Sequence, residues 1–310
     1  MNQCFLCGNT ESKFFLGKTT IGYGAEYDLL ECPGCGVIYF DDMPSLEALL
    51  RFYSGSYFNF SPWHDLAKGN VYAKELNKIK SEGNFLDIGS ALGYFISGIK
   101  QKSKWNVYGI EFSGEAVEYS TNMLGLNVKQ GDIHNVNYPD NFFDYIHINN
   151  VLEHVRDPKA LLLECRRTIK DDGYFFLSVP NGFNDSRSLI DFYNSEKIPA
   201  RSMSGHLYFF PRQTLLKLFK ETGFEVIQNK TGSIKRGMRN IGYLPKKKDW
   251  KKNYFPDTDP RSNIETGISV STEKKHSDFY YKYRYVQSKL HDIPGLYNFG
   301  LDFIFLLRPG

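Results

Sequence analysis

The stretch FLDIGSALGYF, residues 85–95, contains an acid after apolar residues and then two glycines four positions apart. An apolar run that ends at an acid and a glycine is typical of a buried strand of a parallel sheet. Glycines at the junction with a following helix allow the backbone to approach a ligand closely. The stretch therefore predicts a cofactor-binding loop at the carboxyl end of a strand.

Strands and helices alternate around this stretch. Further apolar runs follow at residues 105–112, 126–133, 142–149, 173–180 and 301–309. Helix start and stop signals lie between them, such as Ser113 before one helix and Asp157-Pro158 before another, which we expect to end near Gly173. This alternation predicts an α/β fold with a mostly parallel sheet and helices on both faces.

Composition narrows the class of protein. The chain has 310 residues and a formal net charge of +3, which is too small to indicate a nucleic-acid partner by itself. No apolar run is long enough to span a bilayer, and the N-terminal residues do not read as a secretory signal. We therefore expect a cytoplasmic protein whose thiols stay reduced.

Four of the five cysteines form two C-x-x-C pairs, each followed by a glycine. The pairs are Cys4 with Cys7, and Cys32 with Cys35. This spacing lets both thiolates of a pair face one ion, and the glycine permits the tight turn between them. The pattern predicts a structural zinc site with four sulfur ligands; the alternative, disulfides or unrelated cysteines, fits a reducing compartment poorly.

The glycine loop does not fit the two common phosphate-binding patterns. A dinucleotide fingerprint needs G-x-G-x-x-G, whereas Gly89 and Gly93 are separated by three residues, and a P-loop needs a Gly-Lys-Ser/Thr end. Asp87 would repel a diphosphate, but it suits a cationic or ammonium-bearing ligand. A dinucleotide cofactor is therefore disfavoured.

The loop resembles the first motif of class I S-adenosylmethionine-dependent methyltransferases, with Ala91 at the usual middle glycine. The resemblance covers about residues 70–230 and implies a Rossmann-like sheet of seven strands. It implies that Glu111 binds the ribose hydroxyls, that Asp132 accepts from the adenine amino group and that Ile133 packs on the ring. The predicted cofactor site contains Asp87, Gly89, Gly93, Glu111, Phe112, Asp132, Ile133 and Asn149.

The first 60 residues resemble the N-terminal zinc module of bacterial methyltransferases from sugar, surface-polysaccharide or secondary-metabolite pathways. The sequence thus predicts five segments: a zinc ribbon at 1–40, a connecting helical segment at 41–69, the cofactor-binding core at 70–232, an insertion or substrate lid at 233–297, and a final core strand at 298–310.

Two histidines are candidate general bases for the acceptor. His154 follows the fourth strand of the core, and His206 lies in the segment SGHLYFF. The insertion contains a basic stretch, including Lys235, Arg236 and Arg239, that favours an anionic acceptor. We predict methylation of a small molecule, with oxygen of an anionic or nucleotide-linked sugar favoured. The alternatives are an RNA methyltransferase, a C-methyltransferase of a ketosugar, and a catalytically silent cofactor-binding partner protein.

Overall fold

The protein is represented by a computed structural model that describes residues 3–4, 6–20, 26–45, 47–49, 62–196, 205–245 and 299–310. The connecting helical segment predicted at 41–69 included a helix over 44–58, of which residues 47–49 are helical, while residues 46 and 50–61 lie outside the described part of the chain. Tyr53 and Tyr57, which lie on that expected helix, and most of the predicted insertion at 233–297 fall outside the described residues.

A seven-stranded sheet forms the centre of the described structure, with the order β10-β11-β8-β7-β4-β5-β6. The strands are β4 (Asn84–Ile88), β5 (Asn106–Glu111), β6 (Asn127–Gln130), β7 (Phe143–Asn149), β8 (Ile169–Pro180), β10 (Phe224–Gly232) and β11 (Asp302–Pro309). All neighbours from β8 to β6 are parallel, whereas β11 is antiparallel to both β8 and β10. The predicted Rossmann-like, mostly parallel fold is confirmed.

Helices connect the strands and cover the sheet. They are α1 (Pro62–Ile79), α2 (Tyr94–Lys102), α3 (Gly114–Asn122), α4 (Ile133–Val136), α5 (Pro158–Thr168), α6 (Gly182–Glu196), α7 (Arg212–Glu221) and α8 (Ile234–Asn240). As predicted, the Ser113 and Asp157 side chains cap α3 and α5 by accepting from the backbone N–H three residues later. No sequence signal predicted that α1 runs as one helix through residue 69, where a segment boundary was expected.

The predicted end of α5 near Gly173 is wrong. The helix ends at Thr168, and β8 begins at the next residue. Ile169 is fully buried and pairs with Phe143 of β7, so the sheet takes over the chain before the polar residues 170–172. Gly173 is itself buried inside β8, where it was expected to stop a helix.

A second, smaller sheet contains the N-terminal strands β1 (Lys13–Thr20), β2 (Glu26–Glu31) and β3 (Ile38–Phe40). Its fourth strand, β9 (Tyr208–Phe209), comes from the loop between α6 and α7. Ile38 pairs with Phe209 and Tyr39 with Tyr208 in antiparallel register. Because these residues are buried in the same apolar cluster as the strands of the large sheet, the two sheets share one core.

The apolar core lies on both faces of the large sheet. Its strands contribute fully buried side chains, among them Leu86, Ile146 and Phe175. Within the part of the chain that the structure describes, no helix has both the length and the apolar character needed to cross a bilayer.

Candidate functional site

A cavity of about 500 Å³ opens at the carboxyl ends of β4, β5 and β7 and beside the turn after β6. In open α/β sheets this edge is where ligands bind, and the volume suits a cofactor-sized molecule. Every residue of the predicted cofactor site lines it: Asp87, Gly89, Gly93, Glu111, Phe112, Asp132, Ile133 and Asn149. The fold thus brings together residues that are spread over more than 60 positions of sequence.

Glu111, the last residue of β5, holds the glycine loop in place. Its Oε2 accepts from the Ala91 N–H at 2.9 Å, and its Oε1 accepts from the N–H groups of Phe112 and Ser113 at 2.8 and 2.9 Å. Burial raises the pKa of Glu111, although these three bonds partly offset that effect. A carboxylate has about four acceptor positions, so one remains for a ligand hydroxyl.

Asp87 is paired inside the protein with a histidine that the sequence analysis did not assign. Its Oδ1 lies 2.6 Å from Nδ1 of His147, and both side chains are buried. The imidazole is stacked on Phe176, with 4.8 Å between ring centroids, and lies 4.7 Å from the ring of Phe95. Burial lowers the pKa of His147 despite the neighbouring carboxylate, so the ring is neutral and orients Asp87.

Asp132 and Ile133 form the wall after β6. Asp132 is the N-cap of α4, and its Oδ1 accepts from the Asn135 N–H at 3.0 Å. The second carboxylate oxygen is left as an acceptor, while Ile133 is fully buried beneath the cavity. An exposed carboxylate above an apolar side chain suits a nucleobase with an exocyclic amino group, because the carboxylate can accept from the amino group while the ring packs on the side chain.

The two histidines that were predicted as general bases lie together. The His154 and His206 rings are 4.8 Å apart in an edge-to-face arrangement. Of the two, His154 lines the cavity. Between them lies Glu153, which is 1% exposed and whose Oε1 is 3.7 Å from Nε2 of His154 and 3.8 Å from Nε2 of His206. We call Glu153, His154 and His206 the His–Glu cluster.

Each histidine of the His–Glu cluster is held by its other nitrogen. Nδ1 of His154 donates to the Gly205 carbonyl at 3.0 Å, and Nδ1 of His206 lies 2.6 Å from Oδ2 of Asp185 on α6. Burial, together with the charge of His206, lowers the pKa of His154 to about 3. Burial opposes the charging of His206, but Asp185 outweighs it and raises its pKa to about 8. Burial also raises the pKa of Glu153 to about 8.

The four N-terminal cysteines form a second cluster, with all four ligand atoms within 4.8 Å of one another. All are free thiols. Cys4 and Cys35 sulfurs are 3.8 Å apart, and Cys7 and Cys32 sulfurs are 3.5 Å apart. Gly8 and Gly36 have φ of 75° and 73°, and their N–H groups donate back to the carbonyls of Cys4 and Cys32 at 2.7 Å. The predicted tight turns are thus present.

Comparison with known proteins assigns the family. Residues 64–229, more than half of the chain, match the model of a family described as a methyltransferase domain. The chain belongs to the methyltransferase-domain family. The matched range contains all eight residues of the predicted cofactor site, and it confirms the class of protein that the resemblance implied.

Individual relatives of this methyltransferase-domain protein are distant. A Schizosaccharomyces pombe protein described as an uncharacterized methyltransferase is 30% identical over 112 residues, which are 32% of this chain and 40% of that protein. A relative from Streptomyces fradiae is 31% identical over 97 residues, which are 30% of this chain and 28% of that protein. The chain therefore spans less than half the length of either relative.

Solved methyltransferases share the fold at low identity. An S-adenosylmethionine-dependent methyltransferase from Archaeoglobus fulgidus is 17% identical, with a TM-score of 0.45 over 77% of this chain and 94% of that one. Another from Mesorhizobium loti is 11% identical, with a TM-score of 0.45 over 76% of this chain and 96% of that one. The family assignment rests on the family match and on the sheet order, not on these scores.

Several site residues were not found from the sequence. Glu153 stands next to His154 in VLEHV, and the available sequence signal was an acid beside a histidine within an apolar segment. His147 is a polar residue within the apolar run of β7. No sequence signal identified Asp185, or Asp65 and Lys68, which line the cavity from α1. Their positions depend on how α1 and α6 pack.

Proposed function

We propose that the protein transfers a methyl group from S-adenosylmethionine to an oxygen atom of a small-molecule acceptor, specifically an anionic or nucleotide-linked sugar. One observation carries the cofactor half of this proposal: Asp87, Glu111 and Asp132 lie at or just after the carboxyl ends of three parallel strands and line one cavity. When bound, S-adenosylmethionine supplies a methyl carbon that is already electrophilic, so the protein's task is to bind and align.

The three carboxylates suit different parts of this cofactor. Glu111 has one acceptor position left for a ribose hydroxyl, and Asp132 has an oxygen left for the adenine amino group above Ile133. Asp87, fixed by the neutral His147, places negative charge at the start of the glycine loop, where it attracts an ammonium group. The donor set therefore fits S-adenosylmethionine.

The acceptor side is formed by His154 and the cations near it. An attacking hydroxyl must lose its proton, and His154 is the member of the His–Glu cluster that lines the cavity. Arg156 and Lys68 also line it and would attract an anionic acceptor. Lys235, Arg236 and Arg239 lie on α8, which does not line this cavity, and the other basic residues of the insertion fall outside the described part of the chain.

We further propose that the cysteine cluster holds one structural zinc ion. Four sulfurs at about 2.3 Å from one ion in tetrahedral geometry are about 3.8 Å apart, close to the separations observed here. Four protein ligands leave no open position, so the ion would stabilise the small sheet and take no part in the reaction.

The proposal is tested with the full chain and S-adenosylmethionine labelled in the methyl group. Label is followed into a panel of nucleotide sugars, phosphorylated sugars, ketosugars and RNA, and mass spectrometry locates the methylated atom. We expect label on a sugar oxygen. Label on a ketosugar carbon or in RNA would assign one of the other acceptor classes, and a calorimetric titration without cofactor binding would reject the enzyme altogether.

A further inference from the structure

Glu153 is a buried carboxylate for which the described residues provide no hydrogen-bond donor. It is 1% exposed, and neither side-chain oxygen has a hydrogen-bond partner among the described residues. Buried carboxylates are normally paired with donors or bound to metal, because the loss of water must be compensated. The described residues therefore supply no hydrogen bond that compensates for the burial of Glu153.

The neighbouring histidines direct the same ring atom, Nε2, toward Glu153. Nδ1 of His154 donates to a carbonyl and Nδ1 of His206 faces the Asp185 carboxylate, which leaves Nε2 of each ring directed at Glu153. A histidine that binds a metal through one ring nitrogen usually donates its other ring N–H to a carbonyl or carboxylate. The Gly205 carbonyl and the Asp185 carboxylate lie in these positions.

The separations also favour an ion over a shared proton. The two Nε2–Oε1 distances, 3.7 and 3.8 Å, exceed hydrogen-bond length. Ligand atoms bound at about 2.1 Å to one ion are roughly 3 to 3.6 Å apart, so small adjustments would complete a site. One ligand atom from each of the three residues lies within 4.8 Å of the others.

We propose that the His–Glu cluster binds one divalent transition-metal ion through Nε2 of His154, Nε2 of His206 and the Glu153 carboxylate. Two imidazoles and one carboxylate suit Mn²⁺, Fe²⁺, Co²⁺ or Zn²⁺ better than Ca²⁺. Three protein ligands leave coordination positions open, and His154 lies on the cavity wall, so an acceptor oxygen can occupy one of them. The ion would then hold and acidify the acceptor hydroxyl, and His154 would serve as a ligand of the ion in place of the general base.

Mn²⁺ is the probe of choice, since four thiolates select zinc whereas imidazole and carboxylate accept Mn²⁺. Zinc-loaded protein, freed of loosely bound metal, is titrated with Mn²⁺ and bound ion is counted by electron paramagnetic resonance. We expect one Mn²⁺ per chain. Neither cofactor nor acceptor is added, so the result does not depend on the proposed methyl transfer.

Three variants and two matched controls locate the ion. Glu153→Gln keeps the shape of the side chain, and both it and His206→Gln should weaken Mn²⁺ binding at least tenfold. Asp185→Asn, which acts through His206, should weaken it about 10- to 100-fold. Glu118→Gln and His64→Gln, at exposed positions, should bind Mn²⁺ as the unaltered protein does.

Two results would overturn the metal site. One is an unaltered protein that binds no Mn²⁺ and gains no thermal stability from Mn²⁺, Co²⁺ or Zn²⁺. The other is Glu153→Gln and His206→Gln variants that fold, as circular dichroism shows, and bind Mn²⁺ as tightly as the controls.

Discussion

Two buried carboxylates lie at opposite ends of β7 and have opposite surroundings. Asp144, near the start of the strand, accepts from Nζ of Lys170 at 2.9 Å, from Nζ of Lys80 at 2.5 Å and from the Asn84 N–H at 2.9 Å. Glu153, just beyond the other end, has two imidazoles beside it and no hydrogen-bond donor among the described residues. Asp144 is thus paired with donors, whereas Glu153 has none among the described residues.

The two environments shift the pKa of each carboxyl in opposite directions. Burial alone would raise the pKa of Asp144, but Lys170, Lys80 and the Asn84 N–H outweigh it and hold that pKa below its usual value. For Glu153 burial is dominant, and its pKa rises to about 8. The difference comes from the neighbours, which are lysines at the amino end of the strand and imidazoles beyond its carboxyl end.

The largest expected effect concerns the cysteine cluster, which shows what metal loss does when the ion is structural. Cys32→Ser should lower bound zinc from one ion per chain and reduce the free energy of unfolding by more than about 4 kcal/mol. Elemental analysis and urea denaturation measure both. Cys165→Ala, at a fully buried cysteine outside the cluster, should keep its zinc. Unaltered protein without zinc would contradict the structural-metal proposal.

Asp144→Asn tests the paired end of β7. It removes the charge that holds two lysines, and we expect a loss of about 2–3 kcal/mol of unfolding free energy at pH 7. Because the folded pKa of Asp144 lies below the unfolded one, this stabilisation is present above about pH 4 and disappears as pH falls through the folded pKa. Urea denaturation at pH 7 and near pH 2 measures it, with exposed Asp172→Asn as the control. A pH-independent difference would reject the ion-pair explanation.

Glu111→Ala tests a third buried carboxylate, which is paired by three backbone N–H groups and still faces the cavity. The change removes the proposed hydrogen bond to the ribose and the anchor of the glycine loop, so affinity for S-adenosylmethionine should fall at least tenfold, or about 1.4 kcal/mol. Calorimetry measures the affinity. Glu115→Ala, exposed on α3, should leave it unchanged. Equal affinity in both variants would remove Glu111 from the cofactor site.

The smallest effect has the opposite sign. In metal-free protein above about pH 8, where the Glu153 carboxyl is ionised, Glu153→Gln replaces a carboxylate that has no donor among the described residues by a neutral amide. We expect the free energy of unfolding to rise by about 1 kcal/mol. Asp144→Asn, the same chemical change at the other end of the strand, should lower it. Thermal denaturation in chelator compares the two. A loss of stability in both variants would contradict the proposed difference between the surroundings of Glu153 and Asp144.

Sequence signals were sufficient wherever the chemistry is local. The cysteine pairs are each closed by one tight turn, and Asp87, Glu111 and Asp132 stand at or just after strand ends that the apolar runs predict. Parallel strands then bring these acids to one edge without further information. The gathering of these acids around one cavity could therefore be predicted.

Long-range contacts could not be predicted in the same way. The His–Glu cluster depends on Asp185 of α6 and on residues 205–206 reaching the end of β7, and these contacts span from about 20 to 50 positions of sequence. His147 is identified as a partner of Asp87 only by the register of β4 against β7. The end of α5 was missed for a related reason, since Ile169 enters β8 through pairing with a distant strand.

Because β3 pairs with β9, the small N-terminal sheet can begin to fold early but cannot be completed until β9 has been synthesised. Both cysteine pairs lie within the first 35 residues, so their turns can close early in synthesis. The partner of β3, however, is synthesised about 170 residues later. Until then β3 has a bare edge that can pair with another nascent chain. Translation of the segment between them thus sets how long this edge stays open to misassembly.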